Sequence, residues 1–513
     1  MTNALLVAGT TSDAGKSLVT AALCRAFRRR GVVVAPFKAQ NMSNNSMVVG
    51  SGPDGGSVGE IGRAQWVQAL AADVTPETAM NPVLLKPGSD HHSHVVVNGR
   101  PAGTISAEEF IGGRTHLAES ALAAFDDLAS RFDVVVCEGA GSPAEINLRD
   151  GDYTNMGLAR HAGMPVVVVG DIDRGGVFAS LFGTVALLEA DDQRLVSGFI
   201  INKFRGNHSL LKPGVERLTE LTGRPTYGVL PWSPDVWLDS EDALNLATRG
   251  EGPPSSPLRF EQGGTPSAGG RHRPLAVGVI RFPRISNFTD IDALSLEPGV
   301  EVSWISDPGA IAGVDLIVLP GTRATIADLS WLRFRGLDRA IAAHASAGRP
   351  VLGICGGFQM LGRRIHDPAG VEGQSTVDVY GLALLDATTT FTEDKVLRAH
   401  GDGAYEIHHG RVDVGDADAE GGWTSSGVVM GTMRHGSLES DETRTILLDL
   451  VASAVGQRWK PSTVSFAAAR EARLDLLGDL AEKHLDVDAL LDLARNGAPE
   501  VPLLSSGAEA PRA

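Results

Sequence analysis

Near-continuous apolar runs of four or five residues punctuate this chain, and longer stretches of helical periodicity lie between them. Residues 5–8, 32–36, 134–137, 166–169 and 198–201 are such runs, rich in β-branched side chains. A strand buried on both faces has no polar side to alternate with, so these runs predict parallel strands covered by helices. The same texture returns at 276–280, 316–319 and 351–354. Between the two series, residues 250–273 are dominated by Pro, Gly and Ser without periodicity, which predicts an interdomain linker. The pattern therefore predicts an α/β domain over 1–249, a second over 274–495 and a frayed tail over 496–513. Open sheets of this kind gather ligands outside the carboxyl ends of their strands.

Composition narrows the function classes. A length of 513 residues agrees with two or three domains. With 43% hydrophobic and 21% charged residues, wholesale disorder is excluded. Lys and Arg number 45 against 62 Asp and Glu, and the resulting net charge of −17 argues against a nucleic-acid partner. Cys24, Cys137 and Cys355 are too scattered for a disulfide framework or a Cys-rich zinc site, which points to a reducing compartment. No run reaches the roughly 18 apolar residues of a membrane span, and the N-terminus lacks the basic region of a signal peptide. The expectation is a cytoplasmic protein without a membrane partner. Its oligomeric state is left open.

The first apolar run leads into Gly9-Thr10-Thr11-Ser12-Asp13-Ala14-Gly15-Lys16-Ser17, and a helical pattern follows at 18–30. Strand, Gly-rich loop and helix in that order predict a phosphate loop, where N–H groups at the helix start face the anion. Lys16 would meet the β- and γ-phosphates, and Ser17 would offer its hydroxyl to Mg²⁺. The usual G-x-x-x-x-G-K-[ST] spacing places its first glycine at Thr10; here Gly9 stands one position earlier. Glu138 directly follows another apolar run, a position suited to holding Mg²⁺, with a helix-capping acid as its plainer alternative. Asp171, Asp173 and Arg174 follow the next run beside Gly175 and Gly176, a mixture suited to phosphate or carboxylate. Asn202 and Lys203 end a further run, where a base-reading side chain would sit.

In the second half, Gly353-Ile354-Cys355-Gly356-Gly357-Phe358-Gln359 reads as strand, Cys, two glycines and helix. Such an elbow exposes a nucleophile at a helix N-terminus, where free N–H groups favour thiolate and stabilise an oxyanion. Cys24 and Cys137 lie in a helix and a strand pattern and read as buried small hydrophobes. The base for Cys355 is His435, His408 or His409. Spacing does not choose among them, because catalytic partners meet in space.

With further runs, these motifs resemble the cobyric acid synthases, glutamine-dependent amidotransferases of cobalamin biosynthesis. The runs are Phe37-Lys38-Ala39-Gln40-Asn41-Met42-Ser43-Asn44-Asn45-Ser46, Gly59-Glu60-Ile61-Gly62-Arg63-Ala64-Gln65 and Met80-Asn81-Pro82-Val83-Leu84-Leu85-Lys86-Pro87, then Asn202-Lys203-Phe204-Arg205-Gly206 and Arg284-Ile285-Ser286-Asn287-Phe288-Thr289-Asp290. Leu319-Pro320-Gly321-Thr322, the elbow and Gly431-Thr432-Met433-Arg434-His435-Gly436 complete the set. The resemblance implies a dethiobiotin-synthetase-like P-loop domain followed by a flavodoxin-like class I glutamine amidotransferase domain. The first would use ATP and Mg²⁺ to activate the b, d, e and g carboxylates of a cobyrinic acid a,c-diamide, and the second would hydrolyse glutamine to ammonia.

Residue by residue, the resemblance implies a nucleotide held by Gly9 through Ser17 with Asn202, and a metal held by Ser17, Glu138 and Glu60. Lys38, Gln40, Asn41, Arg63, Lys86, Asp171, Asp173 and Arg174 are its candidates for substrate or phosphate. Cys355 and His435 are its catalytic pair, the histidine matching a Gly-Thr-x-x-His-Gly run. The N–H groups of Gly356 and of the Gly321-Thr322 turn would form the oxyanion hole. Three departures stand out. Ser437 occupies the position where many triad amidotransferases carry Glu, so either Glu439 substitutes or a Cys–His dyad operates; Arg323 and His94 replace an expected Lys and Gln. The rival readings are the related a,c-diamide synthase, a P-loop ATPase switch and a corrinoid-binding pseudo-enzyme.

Overall fold

A computed structural model describes residues 3–50, 57–87, 92–106, 115–233, 273–372, 376–415 and 422–504. Apart from Arg273 and Asn496 to Leu504, the expected linker and tail lie outside the described residues. The chain forms two units. One comprises Met1–Ser43, Val49–Asp239 and Glu471–Ala513, the other Asn44–Val48 and Ser240–Arg470.

In chain order, the described residues up to 233 form β1 (Ala4–Gly9), β2 (Val34–Phe37), β3 (Gln40–Met42), β4 (Ser46–Gly50), β5 (Val58–Gly62), β6 (Val83–Pro87), β7 (His92–Val97), β8 (Arg100–Ser106), β9 (Val134–Glu138), β10 (Val166–Asp171), β11 (Val196–Phe204) and β12 (Thr226–Pro231). Six of them make an all-parallel sheet in the order β12-β11-β10-β1-β9-β2. Its central strands are fully buried, which is why their sequences lack alternation. Four of the five runs of the first series fall within this sheet, and the run 32–36 enters it at Val34. A second sheet, β3-β6-β7-β8, has no counterpart in those runs; β8 is mostly exposed and polar, so it carries no continuous apolar signal.

From β1 the chain passes through a single tight turn, Ser12–Ala14, into helix α1 (Lys16–Arg29). Gly15 makes the junction with φ 101°, a conformation that side chains resist. One face of α1 packs Val19, Leu23 and Phe27 into a core completed by Leu474, Leu477, Ala481, Leu490 and Leu491. Those last residues lie on helices Phe466–His484 and Val487–Asn496. Thus the chain from Glu471 onward joins the first unit, where the sequence pattern placed it in the second. The described part of the expected frayed tail is packed as well. Pro502 offers its carbonyl to Arg224 at 3.1 Å, and the Leu504 N–H donates to Gln193 Oε1 at 2.8 Å.

The second unit carries β13 (Leu275–Ile280), β14 (Val300–Ile305), β15 (Leu316–Leu319), β16 (Val351–Ile354), β17 (Arg364–Asp367), β18 (Val377–Tyr380), β19 (Thr388–Ala399), β20 (Tyr405–Asp413), β21 (Trp423–Ser426) and β22 (Val429–Thr432). Its main sheet runs β14-β13-β15-β16-β22-β21, with only the β21–β22 pair antiparallel. A four-stranded sheet, β18-β17-β19-β20, adjoins it in sequence. Its half-exposed, Thr- and Asp-rich strands escape an apolar-run reading.

Candidate functional site

Both units place polar residues at the carboxyl ends of their parallel strands. In the first, Lys16 is buried and its Nζ donates to the carbonyl oxygens of Thr11 at 2.9 Å, Ser12 at 3.1 Å and Gly141 at 3.1 Å. Gly9 lies under this side chain: a Cβ there would meet Lys16 Cγ at 3.0 Å, so the displaced glycine makes room for the lysine stem. Asn202 reaches the loop from β11 and donates to the Ala14 carbonyl at 2.9 Å. Lys203 donates to the Asp13 carbonyl at 2.8 Å and pairs with Asp171 at 2.7 Å. Arg174 pairs with Asp13 at 3.0 Å, and Asp173 with Arg205 at 2.8 Å. The acids that follow β10 are thus matched by cations around the loop.

Glu138, at the end of β9, is the hub. Ser17 Oγ donates to its Oε1 at 2.8 Å, and Lys38 Nζ does so at 2.9 Å. Gln68 Nε2 donates to Oε2 at 2.6 Å. Burial pushes this carboxyl up, but the Lys38 ammonium, the Gln68 amide and the charge of Lys16 outweigh it and hold Glu138 below the usual carboxylate range. Ser17 and Glu138 together present hard oxygen donors at the loop, a set that fits Mg²⁺ beside phosphates. Glu60, expected as a third metal ligand, is fully buried and pairs with Lys86. Among the described residues, no group of three or more His, Cys, Asp or Glu side chains is placed to hold a metal. Around this hub Asn41 donates to Gln65 Oε1 at 2.9 Å, Tyr153 bonds Gln40, and the buried Arg63 guanidinium lies 4.5 Å from the Trp66 ring centre. Gln68 gave no motif signal; only its contact reveals it.

In the second unit Cys355 leaves β16 with φ 51° and ψ −111°, a strained conformation for a non-glycine residue. Its N–H donates to the Thr432 carbonyl at 2.8 Å, which ties the elbow to β22. His435 follows β22 and is hydrogen-bonded to Cys355. Its Nδ1 faces Asp290 Oδ2 at 2.7 Å, and Asp290 Oδ1 accepts the Gly436 N–H at 2.8 Å. Tyr405 and His435 exchange two backbone hydrogen bonds, 2.8 and 3.0 Å, and their rings stack with centres 5.5 Å apart. Burial pulls the imidazole down, but the Asp290 carboxylate and the Cys355 sulfur outweigh it and push His435 up to about 10. Burial pushes the thiols of Cys24 and Cys137 up.

The other histidines are engaged elsewhere. His408 lies 2.9 Å from Glu406 and 2.8 Å from the Gly410 carbonyl oxygen. His409 is pulled down to about 4 by burial, with Lys395 and Arg323 adding to it. Glu439 pairs with Arg470 at 2.7 Å, and another acid stands at His435 Nδ1. That acid is Asp290, in the Ser286–Asp290 run whose role motif reading left blank. Gly321 and Gly356 both lie in close quarters at the elbow. A Cβ on Gly321 would come within 2.8 Å of His435 Cε1, and one on Gly356 within 2.6 Å of Thr322 Cγ2. A thiol, an ionised imidazole and a carboxylate beside a helix start can carry acyl transfer.

Comparison with known proteins decides the family. Residues 5–246 match the CobQ/CobB/MinD/ParA nucleotide binding domain, and residues 276–443 match the CobB/CobQ-like glutamine amidotransferase domain. A cobyric acid synthase of Mycobacterium marinum is 62% identical over 98% of this chain and 99% of its own length. Those of Mycobacterium ulcerans and Mycobacterium tuberculosis are each 61% identical over the same shares. The chain belongs to the cobyric acid synthase family. It is therefore a glutamine amidotransferase and ligase of cobalamin biosynthesis, built from a nucleotide-binding and an amidotransferase domain. No described helix is long and apolar enough to cross a membrane.

Proposed function

We propose that this enzyme amidates the b, d, e and g carboxylates of (adenosyl)cobyrinic acid a,c-diamide, with ATP activating each carboxylate and glutamine supplying ammonia. The observation that carries this reading is the identity of about three residues in five over both full lengths to cobyric acid synthases. A carboxylate is a poor electrophile; transfer of the ATP γ-phosphoryl group to it gives an acyl phosphate, which ammonia attacks with loss of phosphate. Lys16 and the loop N–H groups bind and orient the triphosphate, and Lys38 lies one hydrogen bond from Glu138 to balance charge. Mg²⁺, held by Ser17 and Glu138, supplies charge neutralisation on the phosphates when bound.

In the second unit the Cys355 sulfur attacks the glutamine amide carbon. His435, held cationic by Asp290, delivers its proton to the departing ammonia, and the thioester then passes to water activated by the neutral imidazole. The N–H groups of Gly356 and of the Gly321-Thr322 turn meet the tetrahedral oxyanion. Mass spectrometry of the products formed from a cobyrinic acid a,c-diamide, ATP and glutamine tests the reading. Four successive replacements of a carboxyl hydroxyl by an amino group are expected. A product unchanged from the a,c-diamide, with amidation seen only on unamidated cobyrinic acid, would assign the enzyme to a,c-diamide synthesis.

A further inference from the structure

Asp328 is a costly residue to bury. It lies on helix Thr325–Phe334 with no exposure at all, and burial pushes its carboxyl up to about 6 despite the hydrogen bonds it accepts. Its Oδ1 has no hydrogen-bond partner, and the Arg284 guanidinium stands 3.9 Å away. All its bonding runs through Oδ2, which accepts the Thr322 hydroxyl and, at 3.2 Å, the Arg284 N–H. The same Thr322 hydroxyl lies 3.0 Å from the Arg284 carbonyl oxygen and accepts the Ala324 N–H at 3.1 Å. Arg284 in turn accepts the Arg323 N–H at 2.9 Å, and the Ser286 N–H donates to the Gly321 carbonyl at 2.9 Å. The turn at 321–323 is therefore pinned on both sides of Thr322.

The location of that turn gives the pinning a purpose. Gly321 stands against His435 Cε1, and the Thr322 methyl packs on Gly356, the residue after Cys355. Thr322 thus touches the elbow with its methyl group while its hydroxyl is held by a buried carboxylate.

We propose that Thr322 and Asp328 are positioning residues that set the Gly321-Thr322 turn at the distance from Gly356 and His435 that the tetrahedral intermediates of glutamine hydrolysis require. The proposal rests on the reading of Cys355 as glutaminase nucleophile. A displaced oxyanion donor weakens stabilisation of the intermediate more than binding of the ground state, so the effect falls on kcat.

The decisive pair is Thr322→Val, which keeps the shape and removes the hydroxyl, and Thr322→Ser, which restores it. Thr322→Val is expected to lower glutaminase kcat by about 100-fold with KM for glutamine within about twofold of wild type, and Thr322→Ser to recover most of that loss. Equal kcat in the two variants, or a change confined to KM, overturns the proposal. Should Thr322→Val fail to fold, Asp328→Asn carries the same test: a kcat-only loss supports the proposal and an unchanged kcat overturns it. Cys355→Ala separates the two levels, since glutamine-driven activity surviving in it would defeat the nucleophile assignment itself.

Discussion

The phosphate loop and the Cys355 site both keep charged groups ionised inside the protein, and they do so from different chain economies. At the loop, Glu138 is held anionic by Lys38, Gln68 and the charge of Lys16, and Lys16 rests on three carbonyl oxygens. The lysine's part of that arrangement is largely backbone, two of its three carbonyls being delivered by one strand–loop–helix passage. At the elbow, His435 is held cationic by a carboxylate 145 residues earlier in the chain. A site that binds an anion through its backbone shows itself as a contiguous motif. A site that moves protons needs three side chains at one point, and any segment of chain can bring them there.

The largest test of this division is to disable each site alone. Lys16→Ala is expected to reduce amide formation by about 10³-fold with glutamine or ammonium alike, since a preorganised cation at the phosphates is lost. Cys355→Ala should abolish glutamine-driven amidation and leave ammonium-driven amidation in place; loss of both would show that the two sites do not act separately. Next in size, Asp290→Asn should lower glutaminase kcat/KM by about 100-fold, because His435 loses the group that orients and charges it. Steady-state glutaminase assays at saturating and limiting glutamine measure this.

A subtler test uses pH. With His435 raised from 6.5 to about 10, its pairing with Asp290 contributes stability in full below 6.5, and that contribution is lost as pH rises through about 10. Glutaminase kcat/KM should accordingly fall on an alkaline limb near pH 10, and the limb should move to lower pH in Asp290→Asn. A limb at the same pH in both proteins would detach Asp290 from His435. The smallest effect belongs to Glu439→Gln. Its ion pair with Arg470 lies outside the Cys–His–Asp chain, so glutaminase should stay within about twofold of wild type. A loss as large as that of Asp290→Asn would restore Glu439 as the third member.

Much of this was legible beforehand. Seven of the eight apolar runs lie within strands of the two main sheets and the eighth, 32–36, runs into β2, because a strand buried on both faces must be apolar throughout. Gly15, Lys16 and Ser17 were readable because a phosphate loop is a local object. The strands of the β17–β20 sheet were not, since they are half-exposed and mix Thr and Asp with apolar residues. The chain beyond Glu471 was misplaced for a related reason: amphipathic helices show which face is buried, not what covers it.

The sequence by itself therefore determined the local devices, the apolar strands of the two main sheets, the phosphate loop and the elbow of Cys355, since each follows from the backbone and side-chain preferences of adjacent residues. Only the tertiary structure decided which charges meet. It set Asp290 behind His435 and Glu439 against Arg470, turned Glu60 to Lys86 and brought Gln68 to Glu138. Such pairings join residues far apart in the chain, and they depend on strand order and helix packing that no single segment encodes.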